Sequence, residues 1–367
     1  MAEKAIRLGG ESTADAIVSA VDAMYTEHTF AEKDFALKHN EDEISVDTNF
    51  AAQNFWKEAL IRFFNKKSAV LGLVLIVVIV LLAVLGPGMN SYTYSGQDLS
   101  QKNFAPRVPG IEQFGILDGS EKMSTTTGTK VTNAYQEKDK PDVYYWFGSD
   151  LYGRDIWTRT WEGARVSLII AVAAAIIDML IGMSYGLISG YFGGRVDMVM
   201  QRFLEVANGI PRLVIVTLLL LVLQPGMVTI IFALMLTEWV GMSRIARAEM
   251  LKLKDQEFVL ASRTLGAGSF FIIFKEVLPN IIGPIITQVM FSIPTAIFTE
   301  AFLSFVGLGI PVPQCSLGSL ISELYNSFTT HPYQIIPPIV VMSLLMLSFN
   351  LVADGLREAL DPKMKSM

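Results

Sequence analysis

Residues 69–86 read AVLGLVLIVVIVLLAVLG, eighteen positions without a charge. At about 1.5 Å of helical rise per residue, such a run nearly covers a bilayer core of about 30 Å. Further apolar runs lie at roughly 166–188, 210–224, 227–243, 284–303 and 335–353. The composition agrees: 51% of residues are hydrophobic, 17% are charged, and the mean hydropathy is +0.43, against about 25% charged residues in a soluble domain. The expected fold is an all-α polytopic membrane protein with six transmembrane helices, and an even number of crossings puts both termini on one side. A disordered chain is excluded, and a wholly soluble globule does not fit.

The spans set the domain plan. Residues 1–54 form an acidic N-terminal extension. Within it, Ser12 and Asp15 have capping-box spacing, and Ile17, Val18, Val21, Met24 and Tyr25 share a helical face, so a short amphipathic helix is expected near 13–26. Residues 55–68 mix Phe55, Trp56, Phe63 and Phe64 with Lys57, Arg62, Lys66 and Lys67, as an elbow helix in the headgroup layer does. After the first span (69–86), residues 87–163 are rich in Gly, Pro, Ser, Thr and Asn. They contain no run long enough to cross, so a small folded domain is expected there. The core, 164–353, carries the loops 244–283 and 304–336, and 354–367 is a tail.

Net charge is −6, and the acidic excess is local: residues 1–56 hold four Lys/Arg against eleven Asp/Glu. Nucleic acid is not an expected partner, since phosphate binding needs a basic face. No early apolar run of the secretory-signal kind precedes residue 69, so the first span is expected to be uncleaved. The single cysteine, Cys315, excludes an intrachain disulfide.

Orientation follows from the short loops. Residues 189–209 hold Arg195 and Arg202. Residues 244–283 hold Arg244, Arg247, Lys252, Lys254, Arg263 and Lys275, and the tail holds Arg357, Lys363 and Lys365. Residues 304–336 contain no Lys or Arg. The termini, 189–209 and 244–283 are therefore expected in the cytoplasm, with 87–163 and 304–336 outside.

Motifs for catalysis are missing. No G-x-x-x-x-G-K-[ST] occurs, so the chain has no P-loop for nucleotide phosphates. Three histidines, His28, His39 and His331, do not suggest a metal cluster. Gly182-Met-Ser184-Tyr-Gly186 matches the nucleophile elbow G-x-S-x-G, but it lies inside an apolar span with no strand before it. Gly182, Gly186, Gly190 and Gly194 recur every four residues and share one helix face, which suits close helix packing.

Residues 255–280 read DQEFVLASRTLGAGSFFIIFKEVLPN. The pattern predicts two short amphipathic helices. Asp255 caps the first, Gly266 ends it in the left-handed conformation, Ser269 opens the second, and Pro279 stops it. With Phe258, Val259, Leu265, Phe270, Phe271, Ile273 and Phe274, the unit is too apolar to float in water and too polar to cross a membrane. It needs a partner groove.

Here the chain resembles the permease subunits of dipeptide/oligopeptide ABC importers. Val259, Ala261, Gly266, Leu278, Pro279 and Asn280 resemble their EAA loop. Gly148-Ser-Asp150, Gly153-Arg154-Asp155 and Gly163-Ala-Arg165-Val-Ser167-Leu168 are similar to the family's G-T-D, G-R-D and G-A-R-x-S-L signatures. Glu300-Ala-Phe-Leu-Ser-Phe-Val-Gly307-Leu-Gly309, then Pro313 and Ser316-Leu-Gly318, are similar to its E-A-x-L-S-F-L-G-L-G and P-x-x-x-W-G patterns. LASRTLG looks most like the peptide permeases of Gram-positive bacteria.

The resemblance implies the type I ABC importer permease architecture in a bacterial cytoplasmic membrane. It also implies a non-catalytic subunit that needs no cofactor of its own, with ATP and Mg on partners. Those partners would be a second homologous permease, two ABC ATPase subunits, an extracellular substrate-binding protein and a peptide substrate. The ATPase-coupling residues would be Glu257, Phe258, Leu260, Ala261, Ser262, Arg263, Leu265, Gly266, Leu278 and Pro279. Leu260 replaces the family's acid, a role that Glu257 can take. Leu317 stands where many relatives carry Trp.

Charged residues inside apolar spans are costly and therefore informative. Asp178 and Glu238 read first as helix-to-helix hydrogen bonds and second as parts of a translocation path. Glu300, with Ser304 beside it, reads first as a path or gate residue. Two alternatives stay open from the sequence. One is a self-contained secondary transporter or channel, although no inverted repeat is visible. The other is an importer permease for nickel or another small solute.

Overall fold

The structure is a computed structural model, and it describes residues 55–125 and 128–360. The amphipathic helix expected over 13–26 lies outside the described residues, as do the whole acidic extension and the end of the tail.

Helix α1, Phe55–Asn65, is an elbow. It buries Ala59, packs Phe63 against the last long helix, and leaves Trp56, Leu60, Ile61 and Phe64 exposed. That aromatic face suits a headgroup layer. Helix α2, Lys67–Leu85, is apolar all round. It runs so close to the last helix that a Cβ on Gly72 meets Leu351 Cβ and the Ser348 carbonyl at 2.8 Å.

Residues 86–155 fold as a small unit. A hairpin of β1, Ser120–Thr125, and β2, Gly128–Asn133, pairs Ser120 with Asn133. Beside it lies an aromatic core of Phe104, Tyr135 and Tyr145. Tyr135 Oη donates to the Ala105 carbonyl at 2.8 Å, which satisfies the one polar atom of a buried ring. The all-helical expectation is thus qualified by one hairpin.

The second span starts earlier than expected. Helix α3 is Ile156–Ile177, capped by Asp155, which accepts from Thr158 N at 2.8 Å. The charges of 154–165 argue from sequence for a boundary near 163. They sit inside the helix start because they are paired, Arg159 with Asp150 and Glu323, and Arg165 with Glu162. A wide π turn, Asp178–Met183, joins α3 to α4, Ser184–Phe192, giving a helical stretch of 37 residues.

Five helical stretches among the described residues are long and apolar enough to cross a membrane: Lys67–Gly88, Ile156–Phe192, Met227–Leu253, Ser269–Leu308 and Pro332–Leu360. The crossing expected at 210–224 is a broken one. Helix α5, Gly194–Gly209, and α6, Arg212–Val222, form a pair bent by 78°, and α6 alone reaches only about 16 Å. Pro211 explains the break, because it drives the preceding residue out of the helical region; Ile210 is extended at φ −82°, ψ 124°. Six crossings are reached only by counting the bent pair as one.

The third of those stretches consists of α7, Met227–Thr237, and α8, Trp239–Leu253, with Glu238 at the junction. Helix α9 is Glu257–Thr264. A helical start at Ser269–Phe271, a π turn at Ile272–Val277 and α10, Leu278–Leu303, form one continuous stretch. It ends in a wide turn, Ser304–Leu308. Helix α11 is Leu317–Tyr325, and α12 is Ile336–Leu360.

The glycine stripe packs as expected at three of its four positions. A Cβ on Gly182 meets the Trp239 carbonyl at 2.5 Å, one on Gly186 meets the Ser243 carbonyl at 2.1 Å, and one on Gly190 meets Met250 Cβ at 2.9 Å. Helix α4 and the turn before it therefore lie backbone to backbone on α8. Gly194 is the exception: it starts α5 at φ +52° with open space around it. Gly186→Ala is expected to cost about 1–3 kcal/mol, because the clash is with backbone that no rotamer change relieves. Gly241→Ala, where a Cβ meets nothing within 4 Å, is the control. Thermal unfolding in detergent separates the two, and equal midpoints would contradict the packing.

Candidate functional site

The segment 255–280 is a short helix and turn on a buried seat. Val259 of α9 is fully buried against a cluster that includes Met250, Ile272, Ile273 and Val277. This one anchor fixes the helix face. The helix ends in a Schellman motif: Gly266 N donates to the Arg263 carbonyl and Ala267 N to the Ser262 carbonyl, both at 3.0 Å. Gly266 takes φ +83°, the left-handed conformation its type suits. The Arg263 guanidinium lies 4.8 Å from the Tyr191 ring centroid, tying α9 to the end of α4.

What points outward is largely apolar. Phe258, Leu260, Leu265, Phe270, Phe271 and Phe274 are exposed, Leu265 by 87%. Phe270 and Phe274 stack in parallel at 6.3 Å. Glu257, Ala261 and Pro279 are exposed as well, while Ser262 and Leu278 are half-buried.

Two expected boundaries are corrected. Asp255 does not cap α9; Gln256 holds that position and makes no side-chain cap bond. Pro279 does not stop the second helix; it sits in the first turn of α10. The π turn just before it shifts the hydrogen-bond ladder, so the missing N–H costs little there. The second helix is therefore continuous with a membrane-spanning one.

The intramembrane carboxylates differ in their surroundings. Glu300 is fully buried. Its carboxylate accepts from Ser316 Oγ at 2.5 Å, Ser304 Oγ at 2.7 Å and Ser167 Oγ at 3.3 Å. Ser167 Oγ in turn accepts from Leu317 N at 3.0 Å. Glu300 thus bolts α10, α3 and the start of α11 together. Glu300 and Ser304, expected on a path, are held here by partners from three elements, so the polar atoms of Glu300 are satisfied within the protein. Glu238 instead pairs with Arg212 at 2.6 Å, and that Arg212 side chain is 51% exposed. Asp178 is 3% exposed, and its Oδ1 has no hydrogen-bond partner.

Sequence reasoning missed one ionic cluster. Asp150 Oδ2 accepts from Arg154 Nε at 2.6 Å and from Arg159 Nη1 at 2.8 Å. Glu323 accepts from Arg159 Nη2 at 2.7 Å and also from Arg154. Arg159 is fully buried. The cluster joins the 86–155 unit, α3 and α11. Burial pushes the Glu323 carboxyl up, but Arg159 and Arg154 outweigh it and hold it below the ordinary glutamate value. A signal existed: Glu323 is the sole charged residue between Glu300 and Asp354. A lone charge in so apolar a stretch calls for a partner.

The chain matches two family profiles. One, described as "Binding-protein-dependent transport system inner membrane component", covers residues 182–366, about half of the chain. The other, "N-terminal TM domain of oligopeptide transport permease C", covers residues 54–106. The oligopeptide transport system permease protein OppC of Bacillus subtilis is 41% identical over 85% of this chain and 91% of its own length. The dipeptide transport system permease protein DppC of the same organism is 38% identical over 90% and 93%. DppC of Lactococcus lactis is 41% identical over 85% and 92%. Coverage that broad takes in the membrane body as a whole and not one motif. The chain belongs to the family of binding-protein-dependent transport inner-membrane components, within its oligopeptide and dipeptide permease branch.

Proposed function

We propose that this chain is the membrane-spanning permease subunit of an ATP-driven importer that moves oligopeptides or dipeptides across the bacterial cytoplasmic membrane by alternating access. It pairs with a second, homologous permease. Two ATPase subunits hold ATP and Mg beneath the pair, and an extracellular binding protein delivers peptide above. Both termini lie in the cytoplasm. The 86–155 unit and the 304–336 loop form the outer docking face.

The reading rests on one observation. The lever of α9 and its following turn exposes Leu260, Leu265, Phe270 and Phe271 over a buried seat, next to the start of the spanning stretch Ser269–Leu308. An apolar surface held rigidly in that place needs a groove in another protein. Closure of the ATPases then pulls on α9 and, through the helical stretch Ser269–Leu303, on the spans. Energy enters as displacement of a rigid element, and the chain needs no catalytic residue.

The one cysteine of the chain is buried at Cys315, so an introduced thiol reads out cleanly. Leu265→Cys, in membranes treated with a thiol crosslinker, is expected to join the chain to a P-loop ATPase. Adducts with lipid alone, or none, would overturn the coupling assignment.

A further inference from the structure

A polar cluster lies halfway across the membrane. Helix α6 begins at Arg212 and runs eleven residues to the turn before Met227. Helix α7 runs eleven residues back to Glu238. Both charges therefore sit about 16 Å below that turn, close to the middle of a core of about 30 Å. Arg212 Nη1 donates to Glu238 Oε1 at 2.6 Å, and Thr299 Oγ1 of α10 lies 3.4 Å from the same oxygen. Asp178 of the π turn stands four residues before Gly182, whose backbone packs on the Trp239 carbonyl next to Glu238.

Three features separate this cluster from ordinary helix glue. The Arg212 side chain is 51% exposed. At this depth such a face cannot point into lipid, where an arginine is costly, so it points into a water-filled path or toward a partner that shares one. The carboxylates outnumber the cation by two to one. The Asp178 Oδ1 atom, sealed from solvent, accepts no hydrogen bond, and a buried carboxylate oxygen left so is an acceptor without its donor.

We infer that Glu238 and Asp178 form a cation site in the translocation path, that Arg212 occupies Glu238 when the path is empty, and that the N-terminal ammonium of a passing peptide displaces it. This inference rests on the reading of the chain as a peptide permease. A terminal ammonium is a compact charge with three donors, and every unmodified peptide carries it whatever its side chains. A site for that group accepts peptides of many sequences.

The test uses the purified permease–ATPase assembly without its binding protein. Tri-alanine carrying a fluorophore at its carboxyl end is offered with a free, an N,N-dimethylated or an N-acetylated amino end. The first two are charged and the third is not, and tri-alanine has no other amine. The free and dimethylated peptides are expected to bind at least about tenfold more tightly than the acetylated one, as a charge-assisted bond provides. Equal binding of all three overturns the site, and this comparison needs no variant.

Glu238→Gln is expected to weaken the charged peptides about tenfold and leave the acetylated peptide unchanged. Arg212→Gln, which removes the competitor, is expected to tighten the charged peptides. A merely structural ion pair predicts that both variants change in the same direction, and that result also overturns the site. Uptake of unlabelled tri-alanine by the complete assembly in vesicles is read in parallel. Uptake without the charge preference rejects the site alone. No uptake rejects the peptide-permease reading, and the site with it.

Discussion

Exchanging Arg159 for methionine is expected to lower the stability of the detergent-solubilised protein by about 3–5 kcal/mol, the usual cost of removing one partner from a buried ionic cluster. Methionine preserves much of the volume, so the loss is electrostatic. Asp150 Oδ2 and Glu323 Oε2 then face each other with Arg154 alone between them. Replacing Glu323 by leucine in the same chain removes the stranded charge and is expected to restore a large part of the loss. A double-mutant cycle with Glu323→Leu alone measures that coupling. Additive midpoints would show that the two residues act separately. The cluster joins the 86–155 unit to α11, so protease sensitivity of that unit should rise with the same rank order.

The same cluster sets an acid limit. The Glu323 carboxyl is held below its ordinary value by Arg159 and Arg154 against the opposing effect of burial. A depressed folded-state value means that the contribution is complete above the unfolded-state value and is lost as pH falls through the folded one. Stability should therefore be flat on this account near neutrality and decline only in acid below the ordinary glutamate range. Glu323→Gln should remove that portion of the decline.

Much of the architecture is legible in the sequence because it is local. An uncharged run such as 69–86 has no soluble alternative, and a glycine every fourth residue places three backbone approaches on one face. Gly266 is legible for the same reason, since a helix end that needs positive φ announces itself by residue type. What is not legible depends on distant partners. Arg159 and Arg165 look like the outside of a span until α11 and α2 supply their surroundings. Pro211 reads as part of a crossing, although its effect on Ile210 breaks the helix there. Pro279 reads as a stop because the π turn that tolerates it has no sequence signature. Glu300 and Glu238 differ in surroundings on the same ground: three serines from separate elements bond Glu300, whereas the partner of Glu238 stands half in the open. One sequence in isolation gives each acid the same context, an apolar helix.

Gly266→Val is expected to abolish most peptide uptake while ATP hydrolysis by the assembled complex continues. Space is not the obstacle, because a Cβ at Gly266 meets nothing within 4 Å. The obstacle is the backbone: φ is +83°, and an L-residue in the left-handed region loses about 1–2 kcal/mol, with a β-branched side chain the least tolerated there. The chain relieves that cost by unwinding the turn, which breaks the Gly266 and Ala267 hydrogen bonds to the carbonyls of Arg263 and Ser262. The lever then loses its fixed angle to the helix that begins at Ser269. Insertion into the membrane is untouched, since the spans do not depend on this turn. Asparagine tolerates positive φ far better than valine, so Gly266→Asn should keep most uptake. That ordering, Gly near Asn and far above Val, is what a conformational requirement predicts. If instead Asn and Val fail together, side-chain bulk in the ATPase groove is the cause. Uptake that survives in the Val variant would mean that force does not pass through this turn at all.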